Sequence, residues 1–143
     1  MSGLQVKAED IQLHTILAYI DAQLEIAGCP KRTGMQIAIA AEEIFVNIAH
    51  YAYDKEKGDV IVRMNMTSDR EGISITFEDK GTPYNPLTKE DPDIDLCAEQ
   101  RKIGGLGIYI VKKSMDETLY EYRDGKNQLT IRKYWDKSAR ETY

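Results

Sequence analysis

AAEEIFVNIAHYAY, residues 40–53, is the segment around which the other predicted elements are arranged. Its apolar residues go nearly all the way round a helix, which is typical of a helix packed on most sides. Glu43, Asn47 and His50 fall at i, i+4 and i+7, so they share one edge of that helix. A carboxylate and a carboxamide in an apolar element are costly unless something bonds to them. Their partner is either a neighbouring backbone or a metal ion and a phosphate chain.

The composition indicates one globular domain, residues 1–143. Hydrophobic residues make up 42% of the chain and charged residues 30%, which is ordinary for a folded domain. The net charge of −5 argues against direct nucleic-acid binding, which requires a basic face. We find no signal peptide and no apolar run near the ~20 residues of a membrane span, so a cytoplasmic location is expected. Two cysteines and two histidines make a zinc site unfavourable and favour reduced thiols.

The first half of the chain predicts a strand and two helices. A strand over residues 3–7 precedes a helix with Asp10 as its N-cap, which ends near Ala27. Thr33–Gln36 has the T-x-x-Q form of a capping box and predicts the start of the central helix. That helix is expected to run to about Tyr53.

The second half predicts two hairpins and a short helix. Apolar and polar residues alternate over 60–66 and 73–78. Two further strands are expected over 117–123 and 128–135, with good hairpin chemistry at 124–127. A helix over 108–115 lies between the two hairpins. This order favours an α+β fold, a two-layer sandwich with a mostly antiparallel mixed sheet and the helices on one face.

Two glycine motifs follow the central helix. Residues 79–104 have no clear periodicity, which is typical of a lid or binding loop; a disordered insertion is the other interpretation. Gly105-x-Gly107 at a helix start frees backbone amides to face an anion, although glycines also simply punctuate loops. Asp79-x-Gly81 at a strand end can accept a hydrogen bond from an exocyclic amine such as that of adenine, or it is a plain exit from the strand.

The order and spacing of the three motifs resemble the GHKL ATPase superfamily over nearly the whole chain. Within it, the strings AEEIFVN (41–47), DKGTPYNP (79–86) and GGLGIYIV (104–111) are most similar to the anti-sigma-factor serine kinases of the RsbW type. The resemblance implies a Bergerat ATP-binding fold with ATP and Mg²⁺ as cofactors and an ATP lid at about 82–104.

The resemblance also implies the roles of individual residues. Asn47 would ligate Mg²⁺ through its side-chain oxygen, and Glu43 would be the general base for the attacking hydroxyl. Asp79 would bind the adenine amine, and Gly81 would let the base pack closely. The remaining implied nucleotide contacts are Arg101 or Lys102, Gly104, Gly105, Leu106, Gly107 and, near the adenine, Thr130.

Two neighbours of the implied base need separate interpretations. Only Glu43 lies four residues before Asn47, so Glu42 is expected on the flank of the helix. His50 either orients Glu43 or is a structural histidine.

The implied function is an ATP-binding protein serine/threonine kinase that acts as an anti-sigma factor. It would phosphorylate a STAS-type anti-sigma-factor antagonist, bind a sigma factor and form a homodimer, with no direct contact to nucleic acid or membrane. Two alternatives stay open. One is a non-catalytic ATP-binding module whose nucleotide state gates a protein partner; the other is a domain whose nucleotide site has decayed.

Overall fold

The computed structural model describes residues 2–54, 56–68, 71–88 and 105–136. These ranges contain three α-helices, five β-strands and two short 3-10 turns, at Asp10–Gln12 and Pro86–Thr88. The elements follow the chain as β1 (Ser2–Lys7), α1 (Leu13–Ile26), α2 (Lys31–Tyr51), β2 (Asp59–Met66), β3 (Gly72–Asp79), α3 (Gly105–Ser114), β4 (Glu117–Arg123) and β5 (Lys126–Tyr134).

The five strands form one sheet in the order β1-β2-β3-β5-β4. Each neighbouring pair in this sheet is antiparallel. The predicted α+β class is therefore confirmed, and the described sheet is wholly antiparallel where a mixed sheet was expected. Because β3 is central, its C-terminal end lies under the helices and between two partner strands.

The period of two separates an apolar face from a polar face. Val62, Phe77 and Leu129 are aligned across three strands and are buried in the core. On the opposite face, Thr76 and Thr130 are aligned and half-buried. Side chains that precede or follow the core residues by two positions share the helix-covered face.

The central helix α2 packs against both α1 and α3. Glu43 and Asn47 are half-buried, whereas His50 is exposed, so the polar edge lies where the core meets the surface. Small residues let the neighbouring helices approach closely. The buried residues of α2 are Ile37, Ala40, Ala41, Ile44, Phe45, Ile48 and Ala49.

Two predicted helix caps are wrong. The central helix begins directly after Pro30, which is its N-cap, so Thr33–Gln36 lies within the first turns and forms no capping box. Pro30 is extended (φ −60°, ψ 146°), and its carbonyl accepts a hydrogen bond from the Gly34 amide at 2.9 Å. Asp10 lies in a 3-10 turn without capping it, because its carboxylate binds His50 instead.

The later boundaries shift by two or three residues. The helix predicted over 108–115 begins at Gly105, so the glycine motif is its first turn. The second hairpin has a two-residue turn, Asp124-Gly125, with φ of 55° and 76°, as a type I′ turn requires. None of the helices in the described ranges could span a bilayer by length and apolarity.

Candidate functional site

A cavity of about 430 Å³ lies between α2, the end of β3 and the hairpin β4–β5. This volume is in the usual range for small-molecule sites, which are mainly apolar with a few convergent polar groups. Ile48 and Leu129 provide apolar walls, while Asn47, Asp79 and Asn127 provide polar groups. The packing of α2 over the end of β3 therefore brings two of the predicted site residues, Asn47 and Asp79, to the same cavity.

Asp79 offers one oxygen to the cavity. Its side chain is only 5% exposed, and Oδ1 accepts hydrogen bonds from the Gly81 amide at 2.8 Å and from Asn127 Nδ2 at 3.0 Å. Burial raises the pKa of this carboxyl, and the neighbouring charge of Glu78 adds to the effect. Among the described residues no donor bonds to Oδ2, so this oxygen can accept a hydrogen bond from a ligand.

Gly81 is the point where the chain crosses the C-terminal end of α2. A Cβ on this residue would lie 2.2 Å from the Ala52 carbonyl oxygen, and the next amide, that of Thr82, donates to the same oxygen at 2.9 Å. Close packing against the helix therefore requires glycine here. The predicted approach of Gly81 to an adenine ring stays a prediction.

Glu43 lies directly against the first turn of α3. A Cβ on Gly107 would lie 2.2 Å from Glu43 Oε2, so the glycine motif and the predicted base are in contact. Burial, followed by the charge of Glu42, raises the pKa of Glu43. A raised pKa brings a carboxylate closer to the range in which a general base works at neutral pH.

The neighbours of Glu43 on α2 have distinct environments. Asn47, one turn later, lines the cavity, and Glu42 is exposed. His50 Nε2 lies 2.8 and 2.9 Å from the two carboxylate oxygens of Asp10, and both side chains are well exposed, at 46% and 65%. His50 therefore links α2 to the 3-10 turn that precedes α1, and this contact supports the interpretation of His50 as a structural residue.

The predicted position of Thr130 beside the adenine needs correction. Thr130 is aligned with Thr76 on the face of the sheet opposite the helices, and their hydroxyl oxygens are 2.8 Å apart. Leu129, its neighbour in β5, is the residue that lines the cavity. Because successive side chains alternate between faces, Thr130 is on the wrong side of the sheet for this contact.

Asn127 is the site residue that sequence reasoning missed. It is 6% exposed, and its side chain bonds to Asp79, to the Thr82 carbonyl, to the Tyr84 amide and to the Tyr120 hydroxyl. No local sequence signal marks it, because the turn at Asp124-Gly125 pairs Asn127 with Tyr122, whereas the long-range pairing of β3 with β5 places Asn127 opposite Asp79.

The remaining predicted contacts are only partly within the described ranges. Arg101, Lys102, Gly104 and the lid segment 89–104 lie outside them. Gly105 and Leu106 are in the first turn of α3, where free backbone amides favour an anion. The described beginning of the predicted lid contributes Thr82, Pro83, Tyr84 and Pro86 to the cavity wall.

Comparisons with known proteins agree with this geometry. Residues 6–133 match the family model described as histidine kinase-like ATPase domain. The serine-protein kinase RsbW of Listeria monocytogenes is 24% identical over 83% of this chain and 82% of its own length. RsbW of Bacillus velezensis is 30% identical (72% and 70% covered), and the serine/threonine-protein kinase BtrW of Bordetella bronchiseptica is 24% identical (70% of each). With this match over most of its length, the chain belongs to the histidine kinase-like (GHKL) ATPase family and is similar to serine-protein kinases of the RsbW type.

Proposed function

We propose that this protein is an ATP-dependent protein serine/threonine kinase that phosphorylates a STAS-type anti-sigma-factor antagonist and binds a sigma factor. One observation carries the proposal. The Glu43 carboxylate lies against Gly107 in the first turn of α3, one helical turn before Asn47 at the cavity. The names of the similar kinases support the same activity. A cytoplasmic location and a homodimer stay expectations from the family.

The cavity fits an adenine base. Asp79 Oδ2 is a hydrogen-bond acceptor on a side chain that lines the cavity, which suits the exocyclic amine of adenine. The apolar side chains Ile44, Ile48 and Leu129 line the cavity and suit the faces of a flat ring. The same lining leaves only a few polar positions, so the orientation of the base is set largely by Asp79.

Asn47 is the proposed protein ligand of Mg²⁺. Its side-chain oxygen is a hard ligand at the edge of the cavity, and Mg²⁺ at phosphate sites typically takes one or two protein ligands together with phosphate oxygens and waters. The described residues contain no cluster of three His, Cys, Asp or Glu side chains that could form a metal site alone. A site completed by the nucleotide is consistent with this.

Glu43 is the proposed general base. When bound, MgATP supplies the γ-phosphoryl group and the charge neutralisation on which phosphoryl transfer mainly depends. The Glu43 carboxylate would accept the proton of the attacking serine hydroxyl, a contribution that is typically ~10²–10⁴-fold. Its raised pKa makes it a better proton acceptor than an exposed carboxylate at the same pH.

A second candidate is a module that binds ATP without transferring phosphate. The favouring observation is that the base pocket is built from Asp79, Asn127 and the apolar walls, none of which requires Glu43. Nucleotide binding and phosphoryl transfer are therefore separable properties of this site.

The deciding experiment combines the protein with ATP labelled in the γ-phosphate, Mg²⁺ and the antagonists encoded near its gene. Label on a serine of one antagonist is the expected result. Absence of label, together with a rise in melting temperature in MgATP, would favour the binding module. Absence of both would mean that the nucleotide site has decayed.

A further inference from the structure

The Asn127 carboxamide uses its hydrogen-bonding capacity within the cavity wall. Nδ2 makes its two shortest bonds to Asp79 Oδ1 and the Thr82 carbonyl, both at 3.0 Å. Oδ1 accepts from the Tyr84 amide at 3.1 Å and from the Tyr120 hydroxyl. A carboxamide has two donor hydrogens and two acceptor lone pairs, so these four partners saturate it.

The partners also fix which way the amide points. A flipped amide would place its oxygen against the Asp79 carboxylate and the Thr82 carbonyl, two acceptors. It would also place its N–H groups against the N–H of Tyr84. These three contacts would then pair like with like, which leaves buried polar groups unsatisfied; only the Tyr120 hydroxyl could serve either orientation. Asn127 therefore always presents a donor to Asp79.

A donor from Asn127 has a direct consequence for Asp79. With Oδ1 engaged by two N–H groups, those of Gly81 and Asn127, the plane of the carboxylate is held and Oδ2 is left as an acceptor. An acceptor at this position matches the 6-amino group of a purine. It opposes a 6-oxo group, whose lone pairs would face those of Oδ2.

We infer that Asn127 is a positioning residue that keeps Asp79 as a hydrogen-bond acceptor and thereby makes the site select 6-amino over 6-oxo purine nucleotides. This inference rests on the proposed function, since it requires that the cavity binds a nucleotide. Asn127 also ties the segment Thr82–Tyr84 to the same network, so base selection and the shape of the cavity wall depend on one side chain.

The test replaces the donor by an acceptor of the same shape, in Asn127→Asp. Two carboxyls about 3 Å apart cannot both ionise readily, so they share a proton. When that proton resides on Asp79 Oδ2, the oxygen that faces the ligand, it can donate to a 6-oxo group, and this protonated form becomes more populated as the pH falls. We expect the ratio of ITP to ATP dissociation constants to fall at least about tenfold relative to the wild type, with a larger fall at lower pH.

Three titratable neighbours of Asp79 with shifted pKa values, Tyr53, Tyr120 and Glu78, do not change charge between about pH 6 and about pH 8.5. Tyr53 beyond α2 and Tyr120 on β4 have pKa values raised by burial. The pKa of Glu78, on the other face of β3, is lowered through its bonds to Arg63 and Lys126, which outweigh its burial. A pH-dependent ratio in the variant would therefore report on the introduced carboxyl and Asp79.

Isothermal titration of ATP and ITP across that pH range provides the measurement. Asn65→Asp, the same change at an exposed position of β2, is the matched control and should keep the wild-type ratio at each pH. An equal loss of ATP and ITP affinity in Asn127→Asp, without pH dependence, would reduce Asn127 to a structural role and overturn the inference. A wild-type ratio in this variant would overturn it as well.

Asn127→Ala provides the second variant if Asn127→Asp does not fold. It removes the donor to Asp79 Oδ1, so the ITP to ATP ratio should fall about two- to fivefold; an unchanged ratio contradicts the inference. Failure of the wild type to bind ATP would overturn the proposed function too. ATP binding with unchanged selectivity in the variants would overturn the inference alone.

Discussion

Gly107→Ala is expected to separate folding from phosphoryl transfer. The new Cβ would lie 2.2 Å from Glu43 Oε2, where ordinary contact begins at 3.4 Å, so the carboxylate must move by about 1 Å. Oε2 is the end of a flexible side chain and can move without the backbone. The free energy of unfolding should therefore change by less than about 1 kcal/mol. A misplacement of about 1 Å at the reacting groups can reduce the rate by about 10²-fold.

Single-turnover phosphorylation of the antagonist, with thermal unfolding of the same samples, measures both effects. ATP affinity should stay within a few-fold of the wild type, since the alanine keeps the backbone amide of the helix start. Glu43→Gln supplies the control. If Gly107→Ala acts by displacing the Glu43 carboxylate, then adding it to Glu43→Gln should lower the rate of transfer little further. Wild-type turnover in Gly107→Ala, or fully additive losses in the double variant, would show that Gly107 does not act through the position of the Glu43 carboxylate.

Three further predictions concern the surroundings of the site. Gly81→Ala should destabilise the protein by about 2–4 kcal/mol in urea unfolding, because the new Cβ would clash with a backbone carbonyl that cannot move away. The control Gly3→Ala, where the new Cβ would make ordinary contacts at 3.6 Å, should change the stability little. Equal losses of stability in the two variants would contradict the prediction. Glu43→Gln should stabilise the protein near pH 8, because the pKa of Glu43 is raised in the folded state and its ionisation therefore opposes folding. This added stability should disappear as the pH falls toward 4.5, the ordinary pKa of the carboxyl. Added stability that is independent of pH would contradict the prediction. His50→Ala should cost below about 1 kcal/mol in the same assay and leave transfer unchanged, since its imidazole binds Asp10; lost transfer would reinstate it as an orienting residue.

The sequence was sufficient where a local period decides the structure. Alternation with a period of two predicted β1, β2 and β3, the turn residues at 124–127 supported the hairpin β4–β5, and helical spacing predicted that Glu43 and Asn47 share an edge of α2. The positions of Asp79 at a strand end and of the glycine motif at a helix start followed from the same patterns. These features depend on neighbours within a few residues, so no knowledge of tertiary contacts was needed.

Thr130 shows where this reasoning stops. A strand's register decides which of two adjacent residues faces the core, and a shift of one position reverses the answer. The register of β5 is fixed by the two-residue turn at Asp124-Gly125 and by its pairing with β3. Asn127 consequently occupies the place beside Asp79. The packing reasons for Gly81 and Gly107 likewise arise from helices distant in the chain.

Paired variants of two adjacent glutamates test whether Glu43 is the base of an ATP-dependent protein kinase. Single-turnover transfer from labelled ATP to the antagonist should fall by about 10²-fold or more in Glu43→Ala, with ATP affinity retained. It should stay at the wild-type rate in Glu42→Ala, because that side chain is exposed on the helix flank. Label that appears at an undiminished rate in Glu43→Ala would contradict the assignment.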